Sequence, residues 1–193
     1  MRLFVAIDID EAIRARITRF LEGVQGFAPE VRWVRPESMH LTLKFLGETD
    51  EATAERVHRT LAGIRNASPQ VAFRGTGFFP TARSARVFWI GVEADELLAE
   101  LAAKVEQAME TLGYEREKRV FSPHLTLARL GSGRPGRGPE DRPNLRFRRL
   151  QEKLAAMPPP DFGTMTPREF HLYQSRLSPK GSEYTKLASF KLD

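Results

Sequence analysis

"MHLTLKFLGE" occupies residues 39–48 and "PHLTLARLGS" residues 123–132. Each copy writes His-Leu-Thr-Leu with Leu-Gly at the same later offset, beginning at His40 and at His124, in a chain with only 4 histidines. Both runs are short, apolar at alternate positions and ended by glycine, so each reads as a strand. Side chains of a strand alternate between its two faces. His40, Thr42 and Lys44 therefore share one face of the first copy, with Leu41, Leu43 and Phe45 on the other. In the second copy His124, Thr126 and Ala128 oppose Leu125 and Leu127. Arg129 falls on the leucine side of a regular strand, and on the His124 side if a bulge or the strand end intervenes. Burying both faces would strand two imidazoles and two hydroxyls without water. The simpler arrangement packs the leucines into a core and leaves the polar faces of both strands lining one groove. A single strand histidine is ordinarily a solvated or hydrogen-bonded structural residue. Two copies with threonine at the same offset are not explained that way.

Working outward, residues 2–9 read as a strand, and 10–27 as a helix with Ile13, Ile17, Phe20, Leu21 and Val24 at helical spacing and Asp10 as N-cap. Residues 31–38 form a short extended piece turning at Pro36. A helix follows over 49–66, with Val57, Leu61 and Ile64 on one face. Residues 70–80 and 85–93 are two strands, and 94–113 is a strong helix with Leu97, Leu98, Leu101, Val105, Ala108 and Leu112 as its buried stripe. After the second motif strand, 131–143 is a Gly/Pro/Arg loop and 144–157 a fourth helix. Residues 167–177 and 182–192 are closing strands around the turn 178–181. Strands and helices are mixed without strict alternation, which predicts an α+β fold rather than a doubly wound parallel sheet. The repeated motif strand predicts two similar lobes, each a sheet backed by helices, in one domain spanning 1–193.

The composition, 41% hydrophobic and 28% charged, is that of an ordinary globular chain. No apolar run approaches the roughly 20 residues that cross a bilayer, and "MRLFVAIDID" lacks the form of a signal peptide. With no cysteine, disulfides and thiolate chemistry are excluded and a cytoplasmic setting is expected. The net charge of +5 and pI near 9.8 favour polyanionic partners. Arginine supplies 23 of the 30 basic residues, a side chain suited to phosphate. No HExxH, P-loop or helix-opening GxGxxG is present, so neither metal nor cofactor is expected.

Two imidazoles across a groove form an acid–base pair, because one can be neutral while the other is protonated near neutral pH. Each threonine hydroxyl can donate to an anionic oxygen beside its histidine. In-line displacement at phosphorus needs a base on the attacking oxygen, an acid on the leaving oxygen, and donors around the remaining oxygens.

These paired His-x-Thr motifs resemble the two-histidine (2H) phosphoesterases. The stretches "MRLFVAID", "VRWVRPESMHLTLKFLGE", "FSPHLTLARL" and "LYQSRLSPKGSEYTKLASF" are similar to the RNA 2′,3′-cyclic phosphodiesterase branch, also described as 2′-5′ RNA ligase. The resemblance implies a bilobal fold with pseudo-twofold symmetry and a cleft between the two sheets. It further implies metal-independent hydrolysis of RNA 2′,3′-cyclic phosphate ends to 2′-phosphate ends. On this sequence His40 would protonate the leaving 3′ oxygen, His124 would take the proton from water, and Thr42 and Thr126 would hold phosphate oxygens. The near symmetry of the motifs leaves the acid and base roles to the resemblance.

Lys44 and Arg129 are further candidates for phosphate binding, and the arginine-rich loop 131–143 for contact with the RNA backbone. Phe45, Phe78, Phe79 and Phe121 are candidate base-stacking rings, against the common fate of strand aromatics as core. Tyr184 and Ser175 are candidate rim residues. His58 and His171 lack the threonine and are expected to be structural or surface groups. Competing readings are a phosphodiesterase of small cyclic nucleotides or ADP-ribose cyclic phosphate, and a non-catalytic RNA-binding module. The expected state is a monomer with no obligate protein partner.

Overall fold

The computed structural model describes residues 1–131, 145–178 and 181–193. Strands are β1 Arg2–Asp8, β2 Val31–Trp33, β3 His40–Glu48, β4 Val71–Phe79, β5 Val87–Ala94, β6 His124–Leu130, β7 Asp161–Met165, β8 Glu169–Ser178 and β9 Gly181–Lys191. Helices are α1 Glu11–Val24, α2 Glu51–Ala62, α3 Glu96–Glu110 and α4 Arg148–Ala155. One sheet runs β3-β1-β8-β9 and the other β2-β6-β5-β4-β7, with antiparallel pairing throughout. The two sheets, backed by helices, are the two lobes that the repeated motif predicts. The arginine-rich loop lies almost wholly outside the described residues.

The leucines of the motif strands set their register. Leu41, Leu43, Leu125 and Leu127 are 0, 7, 2 and 0% exposed, and all four join one core shared by both lobes. Burying a leucine side chain contributes about 1.5–3 kcal/mol. A one-residue slip would exchange these leucines for the histidines and threonines. The helices bury most of their predicted stripes, Ile13, Ile17, Leu21 and Val24 of α1, and Leu98, Leu101 and Val105 of α3, together with Ala102 and Met109, while Phe20, Leu97, Ala108 and Leu112 are half-buried. Asp50 caps α2 by accepting from the Thr53 N–H at 2.9 Å. Asp10 precedes α1 without a side-chain cap bond.

Three features depart from the sequence expectation. β7 has no strand signature in the sequence: it is only five residues long, follows three consecutive prolines, and contains Gly163 at φ 106°. Its strand character comes from pairing along β4. β2 leaves its own lobe and pairs with β6 of the other sheet, an association with no local signature. Helix α4 is shorter than the predicted 144–157 span. Phe147 occupies its N-cap position and is fully buried, pinning the helix start to the core.

Candidate active site

His40 and His124 open their strands at equivalent positions. The Nδ1 of each faces the carbonyl oxygen two residues earlier, Ser38 at 3.1 Å and Ser122 at 3.0 Å. A carbonyl only accepts, so each Nδ1 carries the proton and Nε2 is the ring nitrogen left for other partners. The recurring serine at −2, in "SMHLTL" and "SPHLTL", marks this carbonyl and was legible in the sequence, although the contact itself uses backbone. Both histidines line a single cavity of about 700 Å³, together with Thr42, Thr126, Phe45 and Arg129.

The strands share a second irregularity. In β3, Ala6 pairs with Thr42 but Val5 with Lys44, so Leu43 is an extra residue. In β6, Trp89 pairs with Thr126 but Phe88 with Ala128, so Leu127 is extra. Such a bulge breaks the period-two alternation. Leu43 and Lys44 are both buried, as are Leu127 and Ala128. The next residues, Phe45 and Arg129, then emerge on the cleft side. Phe45, expected opposite His40, is instead 75% exposed and packs against Phe4 on the His40 side. Arg129 reaches the polar face, its Nη2 donating to Thr126 Oγ1 at 3.4 Å.

Lys44 also lines this cavity. It is 7% exposed, and its ammonium donates to Glu106 Oε1 at 2.5 Å and to the Glu115 carbonyl at 3.0 Å. Glu106 Oε1 also accepts the Glu117 N–H at 2.8 Å. The lysine thus ties β3 to α3 and to the 115–117 segment at the cleft wall, and its charge is already compensated.

The lobes differ behind their histidines. Opposite His40 in the β1–β3 ladder stands Asp8, and opposite His124 in the β5–β6 ladder stands Gly91. Asp8 Oδ1 lies 3.7 Å from His40 Nε2. The same carboxylate accepts from the Tyr173 hydroxyl and from Lys186 Nζ at 2.7 Å, and lies 3.5 Å from His171 Nε2. Burial alone would raise Asp8, but the hydrogen bonds from Lys186 and Tyr173 and the nearby His171 outweigh it and hold the carboxyl below its ordinary value. Burial and Asp8 together keep the Tyr173 phenol protonated, well above its usual range. His40 is held below the ordinary histidine value, chiefly by burial, with Asp8 pulling the other way. His171 is shifted in the same direction for the same reasons.

His171 is therefore a buried structural histidine, its Nδ1 2.9 Å from Ser189 Oγ. His58 is an exposed residue of α2 whose ring meets Phe190. Phe78 stacks on Phe88 and belongs to the core periphery. Tyr184 lies edge-on to His40 and lines the cavity, whereas Ser175, its partner in the β8–β9 ladder, is not part of the lining. Asp8, Tyr173 and Lys186 escaped the sequence reading. The one signal was an aspartate closing the otherwise apolar strand "RLFVAID". Among the described residues no group of three or more His, Asp or Glu side chains is arranged to hold a metal ion.

Two lobes presenting His-x-Thr strands with matched ring orientation to one cavity define a two-histidine phosphoesterase. The comparison with known families agrees and reproduces the internal duplication. The chain belongs to the LigT-like phosphoesterases, whose family model matches it twice, over residues 7–89 and 90–184. The RNA 2′,3′-cyclic phosphodiesterase of Archaeoglobus fulgidus is 36% identical over 99% of this chain and 100% of its own length. That of Thermus thermophilus is 34% identical over 100% of this chain and 90% of its own. The crystal structure of E. coli LigT complexed with 3′-AMP superposes with a TM-score of 0.77 at 28% identity, covering 99% of this chain and 97% of that one.

Proposed function

We propose that this protein hydrolyses 2′,3′-cyclic phosphate ends of RNA to 2′-phosphate ends, using its two histidines and no metal. The observation that carries the reading is the pair of imidazoles, each locked with Nδ1–H on a backbone carbonyl, lining one cavity with two threonine hydroxyls. The relatives named above as RNA 2′,3′-cyclic phosphodiesterases match over essentially the full chain, which supports the substrate class.

With Nδ1 protonated, a neutral ring offers the Nε2 lone pair as a base and a protonated ring offers Nε2–H as an acid. In the proposed cycle His124 takes a proton from water as its oxygen bonds phosphorus. The P–O3′ bond breaks, and His40 delivers its proton to O3′, leaving the phosphate on O2′. Asp8 beside His40 favours the imidazolium that this acid role needs. Burial opposes it, and the arriving phosphodiester anion would add a second negative neighbour. Thr42, Thr126 and Arg129 would donate to the non-bridging oxygens. Lys44 has no direct part, because Glu106 already holds it.

The test is an oligonucleotide ending in a 2′,3′-cyclic phosphate, incubated with the protein in EDTA, with identification of the product isomer. A 2′-phosphate should form, and His40→Ala or His124→Ala should each lower the rate by about two to four orders of magnitude. Loss of activity in chelator, or a double histidine variant that keeps the wild-type rate, refutes the proposal.

A further inference from the structure

Asp8 closes β1 directly across the ladder from His40, yet it makes no hydrogen bond to that ring. Its Oδ1 stays 3.7 Å from His40 Nε2, beyond the reach of a hydrogen bond. Two donors from neighbouring strands hold it there. The Tyr173 hydroxyl of β8 donates to Oδ1, and Lys186 Nζ of β9 donates to Oδ2 at 2.7 Å. Tyr173 and Lys186 are partners in the β8–β9 ladder, so one rung of the sheet carries both tethers. The imidazole is fixed as well. Its Nδ1 is bound to the Ser38 carbonyl at 3.1 Å, and the rings of Tyr173 and Tyr184 pack on it with centroids at 4.6 and 5.4 Å.

The gap matters because an acid at His40 has one proton to give. With Nδ1–H committed to Ser38, only Nε2–H can pass to O3′. A carboxylate at about 2.7–2.9 Å would take that proton into a charge-assisted hydrogen bond and turn it away from the substrate. Across the wider gap the hydrogen bond is lost, while the charge still favours the imidazolium, because Coulomb attraction falls off slowly with distance. The base needs no such device. Across from His124 stands Gly91, and the ring of Phe79 lies edge-on to it at 5.4 Å.

We propose that Tyr173 is a positioning residue for the acid. Its hydroxyl, together with Lys186, holds the Asp8 carboxylate just short of a hydrogen bond to His40, so that Nε2–H stays available to the substrate. The inference rests on the phosphodiesterase reading above, in which His40 is the acid, and adds to it the residue that sets the distance of its counter-ion. Without the hydroxyl, Oδ1 loses a donor in a half-buried place, and His40 Nε2–H is the neighbour that can replace it. Other titratable groups around His40 are Glu11 and Arg14 of α1, Arg35 and Glu37 before β3, His171 of β8, and Glu183, Tyr184 and Lys186 of β9. Exchanging a neutral phenol for a phenyl ring leaves the charge of all of them unchanged. Phenylalanine also keeps the ring stacked on Phe4 at 5.2 Å.

The experiment takes wild type, Tyr173→Phe, Asp8→Asn and the double variant. It measures kcat and KM against pH on a cyclic-phosphate-ended oligonucleotide and follows the His40 ring by NMR titration without substrate. In Tyr173→Phe the midpoint of the His40 titration should move up by about one pH unit as Asp8 closes on the ring. Maximal kcat should fall about tenfold, a fraction of what a general acid contributes, with KM within about threefold. A more basic His40 in a slower enzyme is a combination that plain damage to packing does not give. Adding Asp8→Asn should reverse both changes and return the protein to the behaviour of Asp8→Asn alone. Lys186→Met, at an exposed position, loosens the second tether and should move both readings the same way, which decides the matter if Tyr173→Phe does not fold. A His40 that titrates as in wild type overturns the proposal, because the carboxylate has then stayed in place. So does a Tyr173→Phe rate that removal of Asp8 fails to raise. If wild type does not open the cyclic phosphate, the phosphodiesterase reading fails by itself, and the titration still decides whether Tyr173 keeps Asp8 off His40.

Discussion

Replacing Lys44 by methionine separates a structural lysine from one that binds phosphate. The ammonium is 7% exposed, donates to Glu106 and the Glu115 carbonyl, and faces a carboxylate whose side chain is only 15% exposed. Methionine preserves the length of the stem but leaves Glu106 charged and without its cation. Removing one member of a buried pair costs about 3–5 kcal/mol, mostly because the survivor stays desolvated. For a chain of this size each kcal/mol moves Tm by about 2–4 °C, so Lys44→Met should melt roughly 6–20 °C below wild type. Adding Glu106→Gln removes the stranded charge and keeps an acceptor for the Glu117 N–H, so the double variant should regain at least half of the loss. The assay is thermal denaturation of wild type and the two variants beside kcat and KM on a cyclic-phosphate-ended oligonucleotide, measured well below the lowest Tm. The double variant should stay within about fivefold of wild-type KM. A Lys44→Met protein as stable as wild type but with KM raised a hundredfold would refute this account and return Lys44 to the phosphate.

Two further outcomes follow from the Asp8 cluster. Asp8 raises the proton affinity of His40 against the larger effect of burial, so Asp8→Asn should move the limb of the pH–rate profile governed by His40 to lower pH. An unmoved limb in a folded Asp8→Asn protein contradicts the coupling. His171 is held below its ordinary value of 6.5 in the folded state, so the unfolded chain binds that proton first and stability falls as pH drops below about 6.5. Asp8, whose carboxyl is also held below its ordinary value, shifts stability in the same direction, but only at lower pH, as its carboxylate is protonated. His171→Gln should accordingly lose less Tm than wild type between pH 7 and pH 5, and an equal loss would exclude His171 as the source.

Local pattern carried the reading furthest. The duplicated His-x-Thr with its alternating leucines was enough to find the two strands, the face each buries, the two-lobed α+β plan and the four side chains at the centre of the site. Those features depend on side-chain period and on chemistry written within ten residues. Serine at −2 repeats within the same span, and its meaning became visible only when the carbonyl was seen under Nδ1.

What the tertiary structure alone decided are relations between distant segments. Bulges at Leu43 and Leu127 arise from the way β3 and β6 pair with β1 and β5, and they bring Phe45 and Arg129 to the cleft. Lys44 finds Glu106 far along the chain on α3. His40 acquires Asp8, Tyr173, His171 and Lys186 because β1, β8 and β9 are neighbours in one sheet, whereas His124 faces Gly91. A strand's sequence specifies which residues alternate and which must be buried; which strand lies beside it, where the ladder slips, and which charge therefore stands across from a given imidazole are set by the packing of the whole chain around one core.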